Sequence, residues 1–360
     1  MDWKTFGGGL AFTLSAFAHA QSSVTLYGVI DDGLTYVNNQ QGHSVYRMDD
    51  SISQGDRFGL RGAEDLGGRL KAIFNLENGF NPNTGALRQG GLEFGRQAYV
   101  GLQSDAYGTL RLGRTYDQMT TTLIQYHPGY WSGIYAFNIG DNDRISGNWL
   151  NNAISYTSPN LRGLTFNAQY SLNSLGAPSN GYGPAYSLSA SYANGPFSIG
   201  AATTSIHDYA VTPGSSLGVA NFLGAAVDFS SQTVVVNRYR TAGIGASYSF
   251  GTFGVSGLYS NTRYETATNA QTLQSIDAVA HYSVRPDIVI AGGYDYSRMS
   301  GYRWNEFSAV VDYLLSKRTD VYVTANYDKA SGGARAVLVT LPSSSTEKQL
   351  ALRIGIRHKF

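Results

Sequence analysis

Residues 347–360 read EKQLALRIGIRHKF and alternate between apolar and polar side chains. Successive side chains of an extended strand point to opposite sides of a sheet, so this segment has one apolar face and one polar face. The apolar face carries Leu350, Leu352, Ile354 and Ile356. The other face carries Gln349, Arg353, Arg357 and Lys359. The pattern fits a half-buried edge strand of a soluble sandwich or, more naturally, a barrel wall with lipid outside and water inside.

The composition excludes several classes of function. The chain has 360 residues, no cysteine, a formal charge of +1 and 14% charged residues, with 43 Gly, 26 Tyr and 16 Phe. A near-neutral balance argues against a nucleic-acid partner, which selects for a clustered basic face. The absence of cysteine excludes thiolate metal sites and thiol catalysis. Glycine and aromatic residues are prominent instead.

Residues 1–20 predict a signal peptide, and the folded domain is expected to span residues 21–360. Lys4 precedes an apolar stretch at residues 6–17, and Ala18-His19-Ala20 matches an A-x-A cleavage pattern. No later stretch approaches the roughly 18 to 20 apolar residues of a membrane helix. A membrane-spanning mature chain must therefore be a closed barrel.

Alternating segments separated by short turns continue along the chain. Apolar faces begin near Val24, Leu70, Leu164, Ile276, Ile288 and Val321. The short turns fall at residues 104–108, 158–160, 194–196, 251–252, 285–287 and 316–319. At roughly ten residues per span plus connections, the mature chain accommodates about sixteen antiparallel strands. A barrel of that size leaves an aqueous channel.

The ordered motifs resemble those of the general trimeric porins of Gram-negative outer membranes, most closely the β-proteobacterial and neisserial type. They are SVTLYG (23–28), RFGLRGAEDLGG (57–68), GRQAYVGL (95–102), GTLRLGRTYD (108–117), NAISYTSP (152–159), YLLSKRTDVY (313–322) and GIRHKF (355–360). The resemblance covers the mature chain. It implies an all-β transmembrane barrel in the cell outer membrane, with a third loop folded into the pore at about residues 116–147.

The resemblance also implies partners and site residues. The partners are two further copies of the chain in a homotrimer, outer-membrane lipid and lipopolysaccharide, permeating ions and small solutes, and a barrel-assembly machinery that reads Phe360. The basic wall of the constriction would consist of Arg57, Arg96 and Arg114. The loop side would present Asp117, Tyr130, Trp131, Asp141 and Asp143. The Pro-Glu-Phe-Gly-Gly sequence of enteric porins is missing from this loop, which removes an expected carboxylate.

The charge count of this constriction predicts a weak anion preference for a passive diffusion channel. Three arginines would face one close acid, Asp117, and a cation ladder across a narrow gap orients and selects solutes. Lumen-facing acids on the strands could reverse that sign. These are Glu77, Asp277, Asp295 and Asp312.

Two alternative functions remain open from the sequence. Aromatic residues in the loop, Tyr130 and Trp131 among them, would suit a channel selective for sugars or carboxylates, although they would also serve to pack the loop on the wall. A G-x-S-x-G pattern at residues 214–218 would suit a barrel hydrolase, but no helical periodicity follows it.

No cofactor or metal site is expected from the motifs. The sequence Asp141-Asn142-Asp143 begins like a calcium loop, but Ile145 and Ser146 stand where a ligand and a glycine belong. The histidines lack zinc-binding spacing.

Overall fold

The computed structural model describes residues 23–172 and 183–360. The expected signal peptide, residues 1–20, lies outside them. No helix in the described part of the chain is long and apolar enough to cross a membrane. The strands are β1 (Ser23–Gln40), β2 (His43–Asp50), β3 (Arg57–Asp65), β4 (Leu70–Gly79), β5 (Gln97–Ser104), β6 (Gly108–Tyr116), β7 (Trp149–Thr157), β8 (Leu164–Ser171), β9 (Ala185–Asn194), β10 (Phe197–Val211), β11 (Asn221–Phe222), β12 (Ala225–Ala226), β13 (Val234–Phe250), β14 (Phe253–Glu265), β15 (Ala270–Arg285), β16 (Ile288–Met299), β17 (Tyr302–Leu314), β18 (Thr319–Ser331) and β19 (Lys348–Lys359).

Three short α-helices and three 3₁₀ turns lie in the loops between these strands. The helices are α1 (Gln118–Leu123), α2 (Gly129–Ser132) and α3 (Pro213–Ser216). The 3₁₀ turns are Ile124–Tyr126, Ile134–Ala136 and Ile139–Asp141.

The sheet closes on itself through its first and last strands, as the terminal segment predicted. β1 pairs antiparallel with β19, from Val29 opposite Lys359 to Val37 opposite Ala351. Beyond the last strand, Phe360 exchanges two backbone hydrogen bonds of 3.1 Å with Gly28. Its ring covers that glycine, where a Cβ would come within 2.3 Å of the ring.

The barrel has sixteen wall strands, because β2 and β3 together form one of them. β1 pairs with β3 along its first half and with β2 along its second half. Between the two, residues 51–56 leave the wall; we call them the inner segment. Asp56 holds its position, since its carboxylate accepts a hydrogen bond from the Asp31 backbone N–H at 2.5 Å. The alternation of the sequence did not predict this interruption.

Apolar side chains point outward along the wall and polar ones inward. On β19, Leu352, Ile354 and Ile356 are exposed on the outer surface, whereas Gln349 and Arg353 are buried on the inner one. Exposed aromatic side chains flank the short turns at one end of the barrel, as an interfacial girdle requires. They include Phe197, Tyr248, Phe250, Phe253, Tyr282 and Tyr313.

An apolar cluster of loop and wall residues partly covers the end of the barrel that carries the longer loops. Residues 212–233 and 332–347 fold over the lumen there. Leu217 and Phe222 from the first loop join Ala336 and Val337 from the second in one buried cluster with Trp304 of the wall. Solute access at this end is therefore narrowed by packed loops.

Candidate functional site: the pore constriction

The third long loop, L3 (residues 117–148), lies inside the barrel. Its helix α1 packs on β9, β10 and β13, and the Gln118 backbone N–H donates to Ser187 Oγ at 2.9 Å. Further along the loop, the Ile134 backbone N–H donates to the carbonyl oxygen of Ile52 in the inner segment at 2.7 Å. The loop therefore crosses the lumen, as the resemblance implied, with bounds one residue from those expected.

Glycines on the inner wall make room for L3. A Cβ on Gly245 would come within 2.5 Å of the Tyr126 ring, and one on Gly293 would come within 2.5 Å of Pro128. Close packing against the backbone of the wall holds the loop at a fixed depth in the pore.

A buried ion pair organises the two ends of L3. Arg144 Nε donates to Asp117 Oδ2 at 2.5 Å, and both side chains are at most 1% exposed. Asp117 also caps α1, since its Oδ1 accepts from the Thr120 backbone N–H at 3.1 Å. Burial raises the pKa of the Asp117 carboxyl, and the Arg144 charge opposes that rise.

The acids of L3 were expected to face the constriction, but in the structure they are turned toward the loop and the wall. Asp117 and Asp143 are fully buried behind the loop, where Asp143 Oδ2 accepts from Ser260 Oγ at 2.8 Å. Asp141 is half-buried and accepts from the Ser146 backbone N–H at 3.0 Å. Burial, and next the Asp143 charge, raise the pKa of Asp141 to about 6. These carboxylates do not face the pore because they accept hydrogen bonds from donors of L3 and the wall rather than from water.

A cavity of about 1070 Å³ lies between L3 and the inner wall beside the inner segment. Among the described residues, six cationic and four acidic side chains line it. The cationic ones are Arg47, Arg57, Arg88, Arg96, Arg357 and Lys359. The acidic ones are Asp49, Asp50, Asp56 and Asp312. The lining therefore carries an excess of positive charge.

Two of the predicted wall arginines lie on this cavity and share one carboxylate. Arg96 Nε is 2.9 Å from Glu77 Oε1, and Arg57 Nε is 3.6 Å from Glu77 Oε2. Tyr27 Oη also donates to Glu77, at 2.8 Å, and Arg96 donates to Tyr116 Oη. These contacts fix both guanidinium groups at the wall, and one carboxylate offsets only one of their two charges.

The third predicted arginine is placed differently. Arg114 stands at a β-bulge where β6 shifts register against β7. Its Nε donates to the carbonyl oxygen of Gly95 at 2.7 Å, its Nη1 donates to Asn151 Oδ1, and its guanidinium lies 5.2 Å from the centre of the Trp149 ring. It is not among the described residues that line the cavity, and its guanidinium instead contacts Gly95, Asn151 and Trp149.

The two predicted aromatic residues of L3 have different environments. Trp131 stacks on His281, with ring centres 4.2 Å apart, and packs beside Val310 and Tyr322 of the wall. Tyr130 also lines the cavity but is 54% exposed. Trp131 therefore holds the loop on the wall, and Tyr130 remains accessible from the pore.

Sequence reasoning missed several charged residues of the cavity. Arg47, Asp49 and Asp50 lie near the end of β2, and Arg88 lies in the loop between β4 and β5. The alternation of β19 did place Arg357 and Lys359 on its polar face, but which polar residue reaches the constriction depends on where L3 and the inner segment meet the wall.

Comparison with known proteins agrees with the geometry. A family profile of Gram-negative porins matches residues 9–333. An outer membrane porin protein of Bordetella pertussis is 28% identical over 95% of this chain and 96% of its own. The major outer membrane protein P.IB of Neisseria gonorrhoeae is 25% identical over 98% of this chain and 99% of its own. The solved anion-selective porin from Comamonas acidovorans superposes with a TM-score of 0.79 at 27% identity, covering 94% of this chain and 100% of that one.

The relatives are porins, which are channels rather than enzymes. A closed barrel of sixteen strands, an apolar outer surface and a polar lumen crossed by L3 are the physical requirements of such a channel. The chain belongs to the Gram-negative porin family and forms a water-filled diffusion channel through the outer membrane.

Proposed function

We propose that this channel passes small hydrophilic solutes with a preference for anions. The observation that carries the proposal is the excess of two positive charges among the side chains that line the constriction. Charges on the wall of a narrow aqueous passage raise the local concentration of the oppositely charged ion. The Comamonas acidovorans relative, at 27% identity, is itself described as anion-selective.

Arg57 and Arg96 are assigned the main role in this preference. Both line the cavity beside L3, and their shared partner Glu77 is only 4% exposed. The arginines therefore present charge to the pore while their counter-charge stays behind them. Asp117 and Asp143 are assigned a structural role in L3, since both are buried.

The alternative functions receive less support from the geometry. One face of the Trp131 ring, which a sugar would need for stacking, is taken by His281. In the G-x-S-x-G pattern, the serine is Ser216 on the single-turn helix α3, and its hydroxyl donates to the carbonyl oxygen of Thr212 at 2.7 Å. That hydrogen bond occupies the hydroxyl proton that a catalytic base would have to accept.

The proposed assembly is a homotrimer in a bilayer containing lipopolysaccharide, inserted by a machinery that recognises Phe360. Gly28 and Gly62 place no side chain on the outer surface of the first strands, and the rings of Phe360 and Phe74 pack over these two glycines. We assign the trimer contact to this wall. Gel mobility before and after boiling tests it, and a protein that migrates as a monomer in mild detergent contradicts it.

The selectivity proposal is tested by the zero-current potential in planar bilayers. With potassium chloride more concentrated on one side, the potential should have the sign of an anion-selective pore. It should shrink as the salt approaches molar concentration, where the screening length falls to about 3 Å. A potential of the cation-selective sign contradicts the proposal while leaving the channel function intact.

A further inference from the structure

Four carboxylates form a continuous row across neighbouring strands behind L3. Asp277 on β15 pairs with Asp295 on β16, Asp295 pairs with Glu306 on β17, and Glu306 pairs with Asp328 on β18. All four are at most 5% exposed. We call these residues the acid row. Directly paired residues on one face have Cβ atoms roughly 4.5 to 5.5 Å apart, so neighbouring carboxylates are forced together.

Protein cations do not balance the acid row. Within residues 23–172 and 183–360, no Lys or Arg forms an ion pair with any of its members. Asp277 Oδ1, both carboxylate oxygens of Asp295 and Glu306 Oε1 have no hydrogen-bond partner in the protein. Buried carboxylates are costly without a compensating charge, so either protons or a cation from outside the chain must neutralise the row.

His127 does not supply that charge. Its Nε2 is fully buried, lacks a hydrogen-bond partner and points at Asp277 Oδ2 from 3.7 Å. Its Nδ1 accepts a hydrogen bond from the Gly129 backbone N–H at 3.0 Å, so the single proton of the neutral ring lies on Nε2. His127 is therefore a neutral donor facing the row.

We propose that Asp277 and Asp295 bind Ca²⁺, a hard divalent cation, and that Glu306 supplies a third carboxylate ligand. One carboxylate oxygen from each aspartate and the ring nitrogen of His127 lie within 4.8 Å of one another. An ion at about 2.3 to 2.6 Å from each oxygen spans such a separation. Because Nε2 carries a proton, the ligands are oxygens, which calcium accepts and softer transition metals favour less.

The proposed ion lies on the wall at the point where L3 is held to it. Asn138 of L3 donates from Nδ2 to Asp143 Oδ2 at 2.7 Å and to Asp277 Oδ2 at 3.2 Å. At the other end of the row, Asp328 Oδ2 accepts from the backbone N–H of Val337 at 3.0 Å. Neutralising the row removes the repulsion between carboxylates that lies directly under both loops. Calcium is thus a structural ion for the constriction, beyond the channel function itself.

The experiment is calcium titration by isothermal calorimetry of protein refolded without lipopolysaccharide, stripped with EGTA and held in detergent. The wild type should bind one Ca²⁺ per chain, and Asp277→Asn/Asp295→Asn should lose that binding. A matched control, Glu265→Gln/Asp287→Asn, removes two carboxylates that pair with surface arginines and should bind as the wild type does. Heat-dependent gel mobility establishes that each variant is folded.

Absence of stoichiometric calcium binding to the wild type overturns the proposal, as does equal binding by the row variant. Infrared spectroscopy gives a second measurement that does not depend on any variant. Calcium should shift the stretching bands of ionised buried carboxylates in the stripped wild type. A protonated-carboxyl band that calcium leaves unchanged means that protons, rather than an ion, neutralise the row, and it also overturns the proposal.

Discussion

Replacing both cavity arginines, Arg57→Gln/Arg96→Gln, should shift the ion preference of the pore toward cations. The cavity would lose two of its six cationic side chains, and neither arginine would then offset the charge of Glu77. Glutamine retains hydrogen-bonding capacity toward Glu77, so the wall geometry is expected to persist. The change in selectivity then reports charge rather than shape.

The size of the shift can be worked from the cavity. A sphere of its volume, about 1070 Å³, has a radius of roughly 6 Å. A guanidinium set into the wall then lies about 10 Å from an ion at the centre of the pore. A unit charge at that distance changes the energy of the ion by roughly 0.4 kcal/mol in water. Removing two such charges changes the energies of an anion and a cation in the pore by equal and opposite amounts. The anion-to-cation permeability ratio should therefore fall by about fifteenfold without screening. At 0.1 M salt the screening length is about 10 Å, which reduces the change to about threefold.

The assay is the zero-current potential across a bilayer at low and high salt, for three variants in parallel. Glu77→Gln should shift the potential in the opposite direction, toward anions, because it removes the counter-charge of the same two arginines. Arg69→Gln/Arg285→Gln removes two arginines at exposed turns and serves as the control for net charge. An unchanged potential in Arg57→Gln/Arg96→Gln would refute the assignment of these arginines to selectivity.

Three further predictions concern L3 and assembly. Asp117→Asn removes the anionic partner of buried Arg144, a loss worth about 3 to 5 kcal/mol, and should increase open-channel current noise as L3 loosens; unchanged noise contradicts this. The pKa of Asp141, raised to about 6, means that the folded loop prefers the protonated acid. L3 stability should therefore fall as pH rises from about 4 to about 6, so wild-type noise should increase over that range and Asp141→Asn should remove the dependence. Deleting Phe360 should lower the trimer yield in the outer membrane, and normal yield on a native gel contradicts its assembly role.

The sequence predicted the barrel wall well because the signal is local. Alternation with a period of two residues identifies a strand and both of its faces without knowledge of its neighbours. The β1 to β19 closure followed from the same signal, since Leu352, Ile354 and Ile356 have the outward faces that were expected. The bounds of L3 came instead from the resemblance to porins.

The interior of the pore could not be predicted in the same way. Asp117 and Arg144 are 27 residues apart, and only the folded loop brings them within 2.5 Å. The inner segment leaves the wall where Ser51 adopts a positive φ of 66°, which its sequence does not require. Local patterns do not reveal which polar side chain ends under a loop and which faces water.

The acid row could not be predicted from the sequence either, because it depends on the register of the strand pairing. Asp277 and Asp295 were each expected to face the lumen, but their contact depends on the pairing of β15 with β16. A shift of two residues in that pairing would keep both side chains inside and still separate them by about 7 Å along the strand. The row therefore exists only at the level of tertiary structure.

The acid row and the cavity arginines divide the charge of the lumen. The carboxylates of β15 to β18 lie behind L3, whereas Arg57 and Arg96 lie on the cavity. A divalent ion in the row would offset two negative charges close to the loop and so strengthen the positive field of the pore. EGTA should then move the zero-current potential of the wild type toward cations, and calcium should restore it. Asp277→Asn/Asp295→Asn, in which those charges are already removed, should not respond to either treatment. A response of equal size in this variant would mean that calcium acts on selectivity elsewhere in the channel.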